Sequence, residues 1–315
     1  MNTEPDNIIE RPKKLKYKKV NAPFGYFGSK NKIGLQLCKN LPPHNCWVEA
    51  FCGSAALTLA KPPAQMEIIN DLDHEIINFF TQLRDNTDEL CRLVALTPYA
   101  AQELLNARIN KGECSDLERA RRFLVQAMMA INGAFGSDKG GFSCSQSYSR
   151  NGREARVNRW YNLPERLMDV VERLRDVRVE NRDALTILEK FKNRPATLMY
   201  LDPPYLTKRV NGYKKDAKDE TFHSKMLELA NESKCMLFIS GYDTELYNSF
   251  LTPKRGWLKQ KIATSTKDSN GNSHPRTEVL WLNKHFQKAQ KTSKVPIKLT
   301  DKERKENKIN PERMG

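Results

Sequence analysis

Short apolar-rich runs, each closed by polar or turn-forming residues, recur along the chain at Cys46–Ala50, Met66–Asn70, Val177–Glu180, Thr197–Leu201, Cys235–Ile239 and Glu278–Leu282. Runs of this length, rich in Val, Ile, Leu and aromatic residues, predict strands. Helices are predicted between them over Ala55–Ala60, Ala184–Phe191 and Phe222–Asn231. Strands alternating with helices imply an α/β fold built on a mostly parallel sheet with right-handed crossovers. The rhythm changes between Thr81 and Asp169, where apolar residues fall three and four apart, as at Leu90, Leu93 and Val94 and again at Phe123, Leu124, Ala127, Met128 and Ile131. That spacing predicts an inserted, mainly helical region over 81–169. It is interrupted by Asn132–Phe142, with four glycines in eleven residues, which predicts a loop or hairpin.

Composition narrows the class. With 39% hydrophobic and 9% aromatic residues in 315, the chain can bury a core, which excludes global disorder. No apolar run approaches the ~18 residues of a membrane span, and the first ten residues are polar and acidic, unlike a secretory leader. The seven cysteines are scattered and never spaced Cys-x-x-Cys, so they read as reduced thiols of a cytoplasmic protein. No metal is expected: His44 and Cys46 beside Cys38 come nearest to a ligand set, and their place at a proline turn reads as structural.

Charge adds a partner. The formal charge is +15, of which residues 1–19 carry +3 and residues 284–315 carry +6. Both segments are Lys-rich and poor in apolar residues, so both are expected to be flexible basic tails. Basic tails suit a polyanion such as nucleic acid, although they also serve solubility alone. Within the body, Arg150, Arg153, Arg156 and Arg159 are spaced by three among Asn151, Asn158, Trp160 and Tyr161. Such a run supplies phosphate contacts and base stacking, or else a solvated helix face.

Three motifs carry candidate chemistry, each directly after a predicted strand, where ligands of open α/β sheets bind. Glu49-Ala50-Phe51-Cys52-Gly53-Ser54-Ala55 is a strand followed by a small-residue turn and a helix, which lets backbone approach a nucleotide-like ligand. Asp71, closing the next strand, is placed to accept both hydroxyls of a ribose, or to cap the helix that follows. Together they describe a site for an adenosine-bearing cofactor. Asp202-Pro203-Pro204-Tyr205 combines an acceptor, two prolines that fix φ and free carbonyls from N–H competition, and a flat ring. That set suits an exocyclic amine on a planar heterocycle.

In this order, the Glu-x-Phe-x-Gly turn, the strand-ending Asp, a long insertion and Asp-Pro-Pro-Tyr resemble the Dam-like, class alpha family of adenine-N6-specific DNA methyltransferases. The resemblance runs from about Pro23 to Asn283. It implies a Rossmann-like methyltransferase fold, residues 20–80 and 170–283 forming the S-adenosyl-L-methionine domain and 81–169 the DNA-recognition domain. Tyr26-Phe27-Gly28-Ser29-Lys30 resembles the family's first cofactor motif, and Asp183 in Asn181-Arg182-Asp183 the position that holds the cofactor's adenine. The implied cofactor contacts are Tyr26, Lys30, Glu49, Phe51, Gly53, Asp71, Asp183 and Asp202. Asn132-Gly133 and Gly141-Phe142 resemble the recognition loop; the implied DNA contacts are Asn132, Lys139, Arg150, Arg153, Arg156 and Arg159. Ser240–Asp243 and Thr277–Asn283 resemble the family's closing segments. Ala50 and Ala55 depart from the family's commoner Pro and Gly.

The chemistry the resemblance implies is direct methyl transfer to N6 of an adenine flipped out of double-stranded DNA, with Asp202 and the Pro203 carbonyl holding the amine and Tyr205 under the base. Cytosine-C5 chemistry needs a nucleophilic cysteine after a proline, and none of the seven follows one. A cytosine-N4 enzyme, with Ser in place of Asp202, and a catalytically silent DNA-binding relative are the alternatives. RNA and protein methyltransferases with similar motifs lack so long an insertion between Gly53 and Asp202. A restriction endonuclease partner is compatible with this reading, and no obligate protein partner is implied.

Overall fold

The computed structural model describes residues 19–25, 34–109, 114–131, 133, 140–149, 151–205, 220–267 and 273–296. The strands are β1 (Cys46–Glu49), β2 (Met66–Asn70), β3 (Val177–Glu180), β4 (Thr197–Leu201), β5 (Met236–Gly241), β6 (Leu258–Lys267) and β7 (Ser273–Leu282). They form one sheet in the order β3-β2-β1-β4-β5-β7-β6. β1 to β5 pair in parallel, whereas β7 runs antiparallel to both β5 and β6. The helices are α1 (Gly34–Lys39), α2 (Ala56–Ala60), α3 (His74–Asp85), α4 (Thr87–Leu96), α5 (Ala101–Arg108), α6 (Asp116–Met129), α7 (Ala155–Tyr161), α8 (Leu163–Leu174), α9 (Ala184–Phe191), α10 (Glu220–Glu232), α11 (Glu245–Phe250) and α12 (Lys284–Thr292).

Side chains alternate across a strand, so each strand feeds two cores. Val48, Ile68, Met199, Leu201, Leu237 and Ile239 pack against α9, α10 and α11. Trp47, Leu198, Tyr200, Met236 and Phe238 face the opposite way, with Leu37 of α1 and Phe286 and Ala289 of α12. A third core joins α3 to α8 around the rings of Phe24, Phe79, Phe80 and Phe123. These helices start at side-chain caps where the sequence provides one: Asp73 accepts from Glu75 N and Ser115 from Glu118 N.

Three expectations need correction. Residues 284–292 are not tail: Asn283 accepts from Phe286 N and starts α12, whose Phe286 and Ala289 are buried on the sheet. Two apolar residues three apart were enough to anchor a Lys-rich segment. Ile131 is exposed because α6 ends at Met129 and the chain turns there, Ile131 N donating to Gly141 O at 2.9 Å. The β6–β7 ribbon is longer than the single last strand expected, and β6 was missed because Leu258–Lys267 is mostly polar.

Beneath the sheet's first turn lies a buried ionic group. Lys61 Nζ and Arg173 Nη1 hold the two oxygens of Glu67 at 2.5 and 2.6 Å. Arg173 Nη2 also donates to Thr58 O at 2.7 Å, which ties α8 to α2.

Candidate active site

The strand order reverses between β1 and β4, so the carboxyl ends of these neighbours open a crevice at the topological switch point. On one side the chain leaves β1 in a tight turn. Ala55 N donates to Cys52 O at 2.6 Å, and Gly53 (φ +48°) and Ala55 (φ +53°) are left-handed. Glycine adopts that region freely; alanine at 55 costs about 1 kcal/mol. The turn is clamped from β2: Asp71 Oδ2 accepts from Gly53 N at 2.8 Å and Oδ1 from Asp73 N at 3.0 Å. Asp71 is therefore no helix cap, since α3 is capped by Asp73. Burial pushes its carboxyl up to about 6, against the pull of those two N–H groups.

Asn70 joins three strand ends. Its Nδ2 donates to Ala50 O and Arg182 O, both at 3.0 Å, and its Oδ1 accepts from Arg182 N at 2.9 Å. Asp183 stands exposed beyond β3 and caps α9 through Leu185 N at 2.7 Å. Phe51 is half-buried, edge-on to Phe222 with centroids 6.3 Å apart.

Glu49 corrects the sequence reading. It is 2% exposed and directed under the turn, where Oε2 accepts from Thr58 N at 3.0 Å and from the Thr58 hydroxyl. Strand alternation puts it on the Trp47 side, so it supports the turn instead of lining it. Trp47 Nε1 donates to the same Thr58 hydroxyl at 2.7 Å. Burial pushes the Glu49 carboxyl up to about 7 despite the Thr58 donors. Below its ordinary value near 4.5 the group is protonated whether folded or unfolded. Between 4.5 and 7 the folded chain holds the extra proton, so this stabilisation is lost as pH rises through 7. Glu49→Gln removes the loss, and the variant should gain about 3 kcal/mol on wild type between pH 4.5 and 8. Melting temperatures of the two proteins at pH 5 and pH 8 check this; a constant difference would refute it.

On the other side of the crevice, Asp202 follows β4 directly. Its Oδ1 accepts from Ser240 Oγ at 2.6 Å and faces the Tyr205 hydroxyl at 3.0 Å. Ser240 Oγ lies 2.7 Å from Tyr200 OH, and Tyr205 OH reaches Glu278 Oε1 on β7. Pro203 is buried and Pro204 half-buried. Tyr205 meets Tyr242 edge-on, centroids 4.6 Å apart. Sequence reading missed Ser240, Tyr200 and Glu278 as parts of this site. Two of them stood in the segments noted, Ser240 near the end of β5 and Glu278 in β7, but only the β4–β5–β7 pairing brings them to Asp202.

Of the described members of the arginine run, Arg156 and Arg159 lie on α7, whereas Arg153 precedes it: Ser149 N donates to Arg153 O at 2.7 Å, Gly152 has φ +78°, and Ala155 N, at the start of α7, donates to Ser147 O at 2.9 Å. The Arg153 guanidinium covers the exposed Tyr161 ring at 3.8 Å, and Arg156 is exposed. Arg159 is half-buried, its guanidinium pushed below the usual range by burial and by Arg156. Trp160 is core, its Nε1 donating to Thr97 O at 2.7 Å. Arg166, which the sequence did not single out, joins the cluster; burial and Arg159 push it to about 10 while it donates to Pro23 O at 3.0 Å. Tyr26, Lys30, Asn132, Lys139 and Arg150 lie outside the described residues. Among the described residues no three His, Cys, Asp or Glu are grouped to hold a metal ion, and no helix is long and apolar enough to cross a membrane.

This sheet, with a small-residue turn and an acidic strand end facing each other at the switch point, defines a Rossmann-like methyltransferase fold. Residues 26–264 match the D12 class N6 adenine-specific DNA methyltransferases, and the chain belongs to that family. It is therefore an adenine-N6 DNA methyltransferase dependent on S-adenosyl-L-methionine, and its substrate is DNA. No curated protein matches the chain. Among solved structures it is similar to precorrin 8W decarboxylase of Methanobacterium thermoautotrophicum (11% identity, 84% of this chain and 97% of that one, TM-score 0.33). It is also similar to a Streptococcus mutans protein solved in complex with SAH (10% identity, 81% and 97%, TM-score 0.35). A SAM dependent methyltransferase of Agrobacterium tumefaciens is 12% identical over 42% of this chain and 47% of that one, with a TM-score of 0.26. Likenesses of this size carry no argument about the site.

Proposed function

We propose that methyl transfer to adenine N6 takes place in the crevice between the Gly53 turn and Asp202, on double-stranded DNA with the target base flipped out. The supporting observation is that Asp202, at the end of β4, lies beside the turn that Asp71 clamps, with Oδ1 already fixed by Ser240. The cofactor fits the polar groups around the turn: backbone N–H groups, the Asp71 carboxylate at the end of β2, and Asp183 beyond β3. Tyr26 and Lys30 complete this set by family resemblance. When bound, S-adenosyl-L-methionine supplies the sulfonium methyl group.

The protein's own contribution is placement and hydrogen bonding. The N6 lone pair is delocalised into the ring, so it is a poor nucleophile until acceptors draw on its N–H bonds. Asp202 and the Pro203 carbonyl act as those acceptors, fixed in place before charge develops. Tyr205, between two consecutive prolines and Tyr242, offers its ring to the flipped base, whose unstacking costs a few kcal/mol. Incubating the protein with labelled cofactor and double-stranded DNA, then digesting to nucleosides, tests this. Label in N6-methyladenine supports it; label in N4-methylcytosine, or none, overturns it.

Arg153, Arg156 and Arg159, with Asn132, Lys139 and Arg150, form the docking face for the phosphate backbone, residues 81–169 acting as the recognition domain. The segments 1–19 and 297–315 add salt-dependent affinity, and the protein works in the cytoplasm of a bacterial or phage-infected cell. Arg156→Ala should weaken binding to all sequences alike and reduce the slope of log K against log salt by about 1. Fluorescence anisotropy at several salt concentrations, with one duplex carrying the methylated site and one lacking it, checks this. A loss confined to one duplex would make Arg156 a base reader.

A further inference from the structure

Four partly buried arginines of α6 and α8 are matched by acids. Arg119 meets Glu75 at 2.8 Å, Arg121 meets Glu103 at 2.9 Å, Arg122 meets Glu118 at 2.8 Å and Arg173 meets Glu67 at 2.6 Å. Arg159 of α7 and Arg166 of α8 are half-buried too, yet among the described residues neither forms an ion pair with a carboxylate. Glu154, before α7, caps that helix through Arg156 N and Val157 N, both at 3.3 Å. Glu165, next to Arg166, is exposed.

Both guanidiniums are held at one short stretch of main chain. Arg166 Nη2 donates to a neutral group, Pro23 O, at 3.0 Å, and its buried Nε has no hydrogen-bond partner among the described residues. Arg159 Nη2 lies against Gly25, 3.7 Å from where a Cβ would stand. That stretch is itself fixed, because Phe24 is buried among the rings of Phe79, Phe80 and Phe123. Two like charges, partly dehydrated and without a counter-charge, are unfavourable for the fold; such a pair marks a functional site. Much of the dehydration that ion pairing requires has already occurred in the free protein, so an arriving anion is attracted at a smaller cost. Burial and the neighbouring cation push both groups below the usual arginine range.

We propose that Arg159 and Arg166 together hold one phosphate of the DNA backbone against the Pro23–Gly25 segment. This deepens, and rests on, the reading of α7 as a docking element given under the proposed function; it adds Arg166 and the sharing of a single phosphate. A phosphodiester carries one negative charge and two free oxygens, one for each guanidinium fork. A carboxylate, such as that of the cofactor, has the same chemistry. DNA is favoured because the positive charge continues outward onto exposed Arg156, three residues before Arg159 on α7.

Duplexes containing the methylated site, each with one phosphate replaced by an uncharged methylphosphonate, test this by fluorescence anisotropy. Wild type should lose about tenfold in affinity at one position, and Arg159→Gln and Arg166→Gln should each be insensitive to replacement at that same position. The double variant should reduce the slope of log K against log salt by about 1, as for one phosphate, and not by about 2. Affinity for S-adenosylhomocysteine, measured without DNA, should stay within twofold of wild type. Melting temperatures should remain at or above the wild-type value, since each variant removes one of two like charges.

The proposal is overturned if the two variants lose sensitivity at different phosphates or at none, or if the double variant lowers the slope by about 2. Weaker S-adenosylhomocysteine binding without DNA would assign the pair to the cofactor's carboxylate, and a lower melting temperature with unchanged DNA affinity would assign it to the fold; either result overturns it. Failure of the underlying reading looks different: Arg156→Ala would then leave the salt slope at its wild-type value.

Discussion

Asp202→Ala should abolish methyl transfer, lowering the single-turnover rate by about a thousandfold or more while S-adenosylhomocysteine still binds. Removing one preorganised hydrogen-bonding partner of a developing charge costs about 10²–10³ in rate in other enzymes. On the proposed reading Asp202 is a charged acceptor, so its loss should fall at the upper end of that range. The alanine variant loses the contact to N6 and leaves Ser240 Oγ and Tyr205 OH without the oxygen they share. Cofactor affinity should change little, since Gly53 and Asp71 belong to the other side of the crevice. Asp202→Asn keeps an acceptor oxygen but loses the negative charge, so it should fall between alanine and wild type. Isothermal titration with S-adenosylhomocysteine, beside a labelled-cofactor assay, separates binding from transfer. A variant with near-normal transfer would remove Asp202 from the chemistry.

Glu67→Ala should destabilise the fold by about 3–5 kcal/mol, the cost of leaving buried charges without their partner. Lys61 and Arg173 are almost fully buried, with side chains 1% and 7% exposed, and Glu67 is the carboxylate both hold. Burial pushes the Lys61 ammonium below the usual range, and Glu67 holds it up. Without Glu67, Lys61 retains Pro62 O at 2.7 Å and the Trp47 ring at 5.1 Å, neither of which carries a full negative charge. Arg173 retains Thr58 O, but its buried Nε already has no hydrogen-bond partner among the described residues. Urea unfolding should show a lower midpoint with an unchanged slope. A shift below 1 kcal/mol would mean that water reaches the pair once the carboxylate is gone. Because Arg173 also holds α2 through Thr58, this variant should lose cofactor affinity along with stability, unlike Asp202→Ala.

The two variants touch different parts of one scaffold. The Thr58 hydroxyl accepts from Trp47 Nε1 and donates to Glu49, and the Thr58 carbonyl accepts from Arg173 Nη2. The helix following the Gly53 turn is therefore fixed from the sheet, from below and from α8. Asp71 and Asn70 fix the turn itself from the next strand ends. This is the support that a close backbone approach to a ligand demands, since a shift of 1 Å in placement can cost a hundredfold in rate.

Much of this was legible in the chain. Solid apolar runs bounded by turns determined the parallel strands, because a strand buried on both faces leaves no polar alternation. The motifs at Gly53, Asp71 and Asp202 each follow such a run, so their place at the strand ends, and hence at the ligand-binding edge, was determined before any coordinates. Side-chain direction and cross-strand proximity were not. Glu49 belongs to the first motif in sequence, yet strand parity turns it inward beneath Thr58. Ser240 and Glu278 are 38 and 76 positions beyond Asp202, and nothing local links them. They reach it because β5 pairs with β4 and β7 with β5. Likewise Lys284 to Thr292 reads by charge as tail, and only the sheet face offered to Phe286 makes it a helix of the core. Local pattern determines which segments become strands and where their ends point. Which side chains from distant strands meet is decided by pairing order and register, which exist only in the folded sheet.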